Sequence, residues 1–121
     1  MAAMTVFTRT GFNAFAETFK GNTLHDQWDA RVAKVGGKVY AVFGEREDGP
    51  TTIVFKCPQE TFEILTALSG ITQAPYFAKR QWVSVASDAD LSEDEVRQYV
   101  TNSYRLVAAG LTKAKRAEIG L

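Results

Sequence analysis

From Arg31 to Gly44 the chain reads RVAKVGGKVYAVFG, two runs of alternating residues around a Gly36-Gly37 pair. Val, Tyr and Phe suit a pleated backbone, and Gly-Gly supplies the positive φ angles of a two-residue hairpin turn. Strict alternation puts Arg31, Ala33, Val35, Lys38, Tyr40 and Val42 on one side of this hairpin. Val32, Lys34, Val39, Ala41 and Phe43 then share the other. Both sides carry apolar residues, so the pattern alone does not decide which side meets the core.

Helical spacing flanks the hairpin. Phe12, Phe15, Ala16 and Phe19 predict an amphipathic helix over Gly11–Lys20, stopped by Gly21-Asn22. Thr23–Asp29, TLHDQWD, leads into the first hairpin strand. After the charged turn EREDGP, Thr51–Cys57 reads as a third strand, antiparallel to the second because the connection is short. Pro58 ends it. Gln59–Leu68 reads as a helix with Phe62, Leu65 and Leu68 on one face. Pro75 makes Ile71–Ala78 irregular, and Arg80–Ala86 alternates as a fourth strand. Ser92 and Glu95 form a capping-box pattern before a long helix through Val96, Val100, Ser103, Tyr104 and Val107, ending near Gly110. A short helix over Lys113–Leu121 follows.

The order α-β-β-β-α-β-α implies an α+β fold, an α/β sandwich with one antiparallel sheet and its helices on one face. Residues 1–121 read as a single domain, with 1–10 expected to fray. The 121 residues suffice for an independent core. Fourteen basic residues balance fourteen acidic ones, which argues against tight, indiscriminate polyanion binding but not against a local patch. A lone Cys57 points to a reducing, cytoplasmic setting. There is no run of about eighteen apolar residues, so no membrane association is expected.

Candidate chemistry is sparse. The one histidine, His25, and Cys57 are the only nucleophile–base pair available, and a buried structural cysteine is the simpler reading. His25, Asp26 and Asp29 are too few for an expected metal site, and VGGK at 35–38 runs into a strand rather than a phosphate-loop helix. The basic residues are better placed. Arg31, Lys34 and Lys38 fall in an acid-free stretch, Lys56 ends a strand, Lys79-Arg80 precedes Trp82, and no acid interrupts Val96–Ala117.

HDQWDARVAKVGGKVYAVFG, IVFKCPQE, GITQAPYFAKRQWVSV and LSEDEVRQYVTNSYRLVAAGL resemble, in order, the motifs of the MmcQ/YjbR family. The likeness spans about Phe12 to Glu118. The resemblance implies a CyaY-like fold and a DNA-binding role in which hairpins act as wings. It implies neither a cofactor nor catalytic residues. Iron handling of the frataxin type would want an acidic first helix, and Gly11–Lys20 supplies only Glu17.

The expected function is therefore weak, salt-sensitive, non-enzymatic DNA binding. Lys34, Lys38, Lys56, Lys79, Arg80 and Arg105 would meet phosphates, with Tyr76 or Trp82 stacking. The alternative is a module that binds a small anion or a protein partner through the same residues.

Overall fold

The computed structural model describes residues 5–27, 29–75 and 81–121. Its elements are α1 (Arg9–Ala16), β1 (Asn22–Gln27), β2 (Ala30–Val35), β3 (Lys38–Gly44), β4 (Thr52–Lys56), α2 (Gln59–Thr66), β5 (Ile71–Gln73), β6 (Trp82–Ala86), α3 (Glu93–Ala109) and α4 (Lys113–Glu118). The strands form one antiparallel sheet in the order β1-β2-β3-β4-β6-β5. Phe12, Phe62, Leu65, Val96, Val100 and Tyr104 from the helices share one core with Ala33, Phe43, Phe55, Val83 and Val85 from the sheet. The α+β architecture with helices on one face is the expected one.

Two strands exceed the expectation. β1 occupies the stretch read as a lead-in and pairs with β2 from Asn22↔Val35 to Gln27↔Ala30. Its sequence, NTLHDQ, shows no apolar alternation because an edge strand needs few buried residues, and only Leu24 packs on the core. β5 takes the first three residues of the stretch read as irregular, again at an edge, with Ile71 turned inward. The first helix also starts earlier than expected. Thr8 caps α1 by accepting from the Gly11 amide, and Val6 is buried.

The β2–β3 turn uses positive φ at both Gly36 and Gly37, 57° and 80°. A side chain at Gly36 would also collide with Leu111, whose Cδ1 lies 2.7 Å from the Cβ position. The turn therefore rests against the end of α3.

Alternation along β3 breaks at Tyr40. Ala33 pairs with Ala41 but Lys34 pairs with Val39, which leaves Tyr40 as an extra residue, a β-bulge. Ala41 and Phe43 thus join Tyr40, Ala33 and Val35 in the helix-covered core. Val42 joins Val32 and Val54 on the opposite face. The sides expected for Ala41, Val42 and Phe43 are accordingly exchanged. The extra residue shifts the two-residue period by one, and no residue type announces it.

Ser103, the buried polar residue among the described core, sits where β3 and β4 part. Its hydroxyl donates to the Tyr40 carbonyl at 2.7 Å and accepts from the Lys56 amide at 2.9 Å. The last β3–β4 rung is Ala41↔Phe55, so this one hydroxyl stands in for the next ladder bond. α3 is held at its start by the expected capping box, Ser92 with Glu95. Ser103→Ala leaves a buried donor and a buried acceptor without partners. It should lower the urea midpoint with little change in slope, a loss of about 2 kcal/mol.

Candidate functional site

The strand registers fix which connections share an end of the sheet. At one end lie the β1–β2 turn, the β3–β4 connection, the β6–α3 connection and the start of α1. This end holds Asp26, Asp29, Glu45, Glu47, Asp48, Asp88, Asp90 and the α3 trio Glu93, Asp94 and Glu95. Three of the four described cations here, all but Arg46, are engaged. Arg9 meets Asp26 at 3.1 Å and Glu45 at 3.3 Å, Arg31 meets Asp26 at 3.3 Å, and Arg97 meets Glu93 and Asp94.

The opposite end carries the β2–β3 turn, the end of β4, the start of β6, the close of α3 and α4. It gathers Lys20, Lys34, Lys38, Lys56, Arg105, Lys113, Lys115 and Arg116, against the carboxylates Glu17, Glu60 and Glu118. Among the described residues, its one ion pair is Lys115–Glu118 at 3.5 Å. A chain of zero net charge is thus polarised along its strands, with a basic end and an acidic end.

The basic end contains every described residue of the expected site. Lys38 opens β3 and is exposed, and Arg105 is exposed on α3. Half-buried Lys34 lies on the sheet face away from the helices, paired with Val39. Trp82 opens β6 in register with Lys56 and packs on the Val32–Val42–Val54 row. These five residues share an end but not a face, since Arg105 belongs to the helical layer. Tyr76, Lys79 and Arg80 lie outside the described residues. Lys20, Lys113, Lys115 and Arg116 complete the end and were not among the expected contacts. Their sequence signal was the acid-free run after Val96, but only the direction of α3 separates Arg97, at the acidic end, from the rest.

Between the end of β4, the start of α2 and the second half of α3 lies a cavity of about 290 Å³, running from Cys57 and Pro58 to Tyr99 and Arg105. Cys57 is buried in its wall, and desolvation pushes its thiol up to about 11. His25 is exposed on β1, with Thr23 Oγ1 2.9 Å from its Nε2. β2 and β3 separate it from β4, about 14 Å of sheet. His25 pairs with Val32 on the helix-free face, whereas Cys57 joins the helix-side core, so the two cannot act together. Among the described residues no three His, Cys, Asp or Glu side chains converge on a metal-sized space. No described helix is long and apolar enough to cross a membrane.

The family model for YjbR matches residues 17–106. "Uncharacterized protein YbdF" of Escherichia coli O157:H7 is 26% identical over 88 residues, 73% of this chain and 72% of YbdF. The crystal structure of Deinococcus radiodurans protein DR2400, with domain DUF419, superimposes with a TM-score of 0.84 at 25% identity. It covers 99% of this chain and 91% of DR2400. A Pseudomonas syringae protein of known structure shares the fold, with a TM-score of 0.69 at 22% identity over 83% of this chain and 98% of its own.

Two titrations test the electrostatics of both ends. Hydrogen bonding from Arg9, then from Arg31, holds the Asp26 carboxyl below its ordinary 3.8 against some desolvation. Its stabilising contribution is therefore full above 3.8 and fades as pH falls through the lowered value. NMR titration of the Asp26 carboxyl should show that lowered midpoint, and Arg9→Ala should raise it. The Cys57 thiol is raised from 9.0, so it favours the folded state below pH 9 and that support is lost as pH climbs towards 11. Iodoacetamide should label Cys57 slowly at pH 8 in the folded protein and promptly in urea.

Proposed function

This chain belongs to the YjbR family, and we propose that it is a non-enzymatic nucleic-acid-binding module whose contact surface is its basic end. The observation that carries the reading is the segregation of charge along the strands. At the acidic end Arg9, Arg31 and Arg97 are engaged by carboxylates, whereas Lys34, Lys38, Lys56 and Arg105 at the basic end have no carboxylate partner among the described residues. A phosphate backbone responds to such a local field rather than to the total charge.

In this reading the Gly36-Gly37 turn works as a wing. Lys38 stands beside it, and Leu111, packed on Gly36, brings the start of α4 with Lys113 close by. Lys34 and Lys56 flank the wing, Arg105 extends the surface over α3, and Trp82 offers a ring for a base. Lys79, Arg80 and Tyr76, contacts expected from the sequence, lie outside the described residues. A binding role rather than catalysis is supported by the separation of His25 from Cys57 and by the protonated thiol. The single cysteine supports a cytoplasmic location. The CyaY-like layout implied by the family resemblance belongs to the same reading.

The affinity should be micromolar or weaker and should fall steeply between about 50 mM and about 200 mM salt, because each neutralised phosphate releases counterion. Fluorescence anisotropy with a labelled duplex measures this. Lys38→Glu and Lys113→Glu should each weaken binding and reduce the salt slope by about one. Arg46→Glu makes the same charge change in the β3–β4 connection and should leave binding unaltered. No binding at low salt, or equal loss from all three variants, would sink the proposal.

A further inference from the structure

The cavity between β4, α2 and α3 has a chemistry of its own. Lys56 and Arg105 line it, neither with a carboxylate partner among the described residues. Asn102 also lines it. Its Oδ1 accepts from Gln98 Nε2 at 3.1 Å, so its amide N–H groups are the donors left to face outward. Thr61 adds a hydroxyl. The apolar part of the lining comes from the same helix as Asn102 and Arg105. It is made by Leu106, 40% exposed, and by half-buried Tyr99, whose ring stacks on Phe55 at 5.9 Å with an interplanar angle of 3°. Stacking on a core ring fixes Tyr99, so this part is preformed.

From this arrangement we propose that the cavity is a binding site for a phosphomonoester carrying a small planar or apolar body. Two cations match a dianion, and a phosphomonoester carries about −1.5 to −2 at neutral pH, whereas a carboxylate carries one charge. The hydroxyl and amide donors suit the several acceptor oxygens of a phosphoryl group. Around 290 Å³ accommodates one ring with its phosphate and no large cofactor. α2 begins at Pro58 without a side-chain cap, and Thr61 of its first turn lines the cavity. Glu60, the carboxylate of that turn, is not part of the lining. The site shares Lys56 and Arg105 with the proposed nucleic-acid surface but does not depend on duplex binding, since no residue of the β2–β3 turn lines the cavity.

Phenyl phosphate, inorganic phosphate and benzoate serve as probes, titrated into the full-length chain and followed by amide chemical shifts and calorimetry. Phenyl phosphate should bind most tightly, because it alone satisfies both the cations and the apolar side chains of the lining. Its shifts should concentrate at Thr61, Asn102 and Arg105, and affinity should rise from pH 5 to pH 7.5 as the second proton leaves. Arg105→Ala, at an exposed position that does not endanger folding, should weaken it at least about tenfold. Lys38→Ala should leave it unchanged. The proposal is overturned if phenyl phosphate fails to saturate the protein, or if benzoate binds as tightly. Shifts spread evenly over the basic end, or an unaltered affinity in Arg105→Ala, overturn it as well. Lys38→Glu and Lys113→Glu, which spare the cavity, keep this result separable from that of the duplex titration.

Discussion

One hydroxyl joins the two layers of this fold. Ser103 reaches from α3 into the gap between β3 and β4 and bonds a carbonyl on one strand and an amide on the other. Two main-chain groups that would be orphaned in an apolar interior are satisfied together, and the helix is fixed in register against the sheet. Tyr40, whose carbonyl is bound, is also the bulged residue, so the bond fixes the place where β3 changes its pattern. The neighbours then follow. Phe19 and Tyr104 stack at 4.7 Å, Tyr40 meets both rings edge-on, and its hydroxyl donates to Asn22 at 2.6 Å. Burial holds the Tyr40 phenol protonated well beyond its ordinary range.

The same anchor sets the geometry of both candidate surfaces. Lys56 lies at the strand end that Ser103 clamps, between the helix-free face bearing Lys34 and Trp82 and the cavity under Arg105. α3 crosses the sheet from the acidic end to the basic end, and its own charges follow that course. Acids in its first turn suit the positive pole of its dipole, and Arg105 stands near the other. Antiparallel strands return the chain to each end repeatedly, so basic segments distant in sequence gather at one place.

Much of this was legible in the residues. Gly36-Gly37 announced the hairpin, Ser92 and Glu95 the start of α3, and Gly110 its end. The acid-free run after Val96 held half of the basic end. What could not be read has physical causes. A bulge is defined by the partner strand, so nothing in VYAVF marks Tyr40 as the extra residue. β1 hides because an edge strand whose one core-packing apolar residue is Leu24 looks like a polar loop. Charge polarity was invisible because it depends on strand direction. Arg31, Lys34 and Lys38 are neighbours in sequence, yet Arg31 belongs to the acidic end and the two lysines to the basic one.

That polarity has a mechanical consequence. A neutral body with separated charges feels no net long-range pull from a polyanion, but it does feel a torque. Alignment would therefore precede attraction, and a polyanion would draw the turn-bearing end to the front. Because ions damp such forces over about 10 Å at 0.1 M, the torque acts only in the final molecular diameter of an encounter. A misdirected collision with a polyanion would be corrected there rather than prevented at a distance.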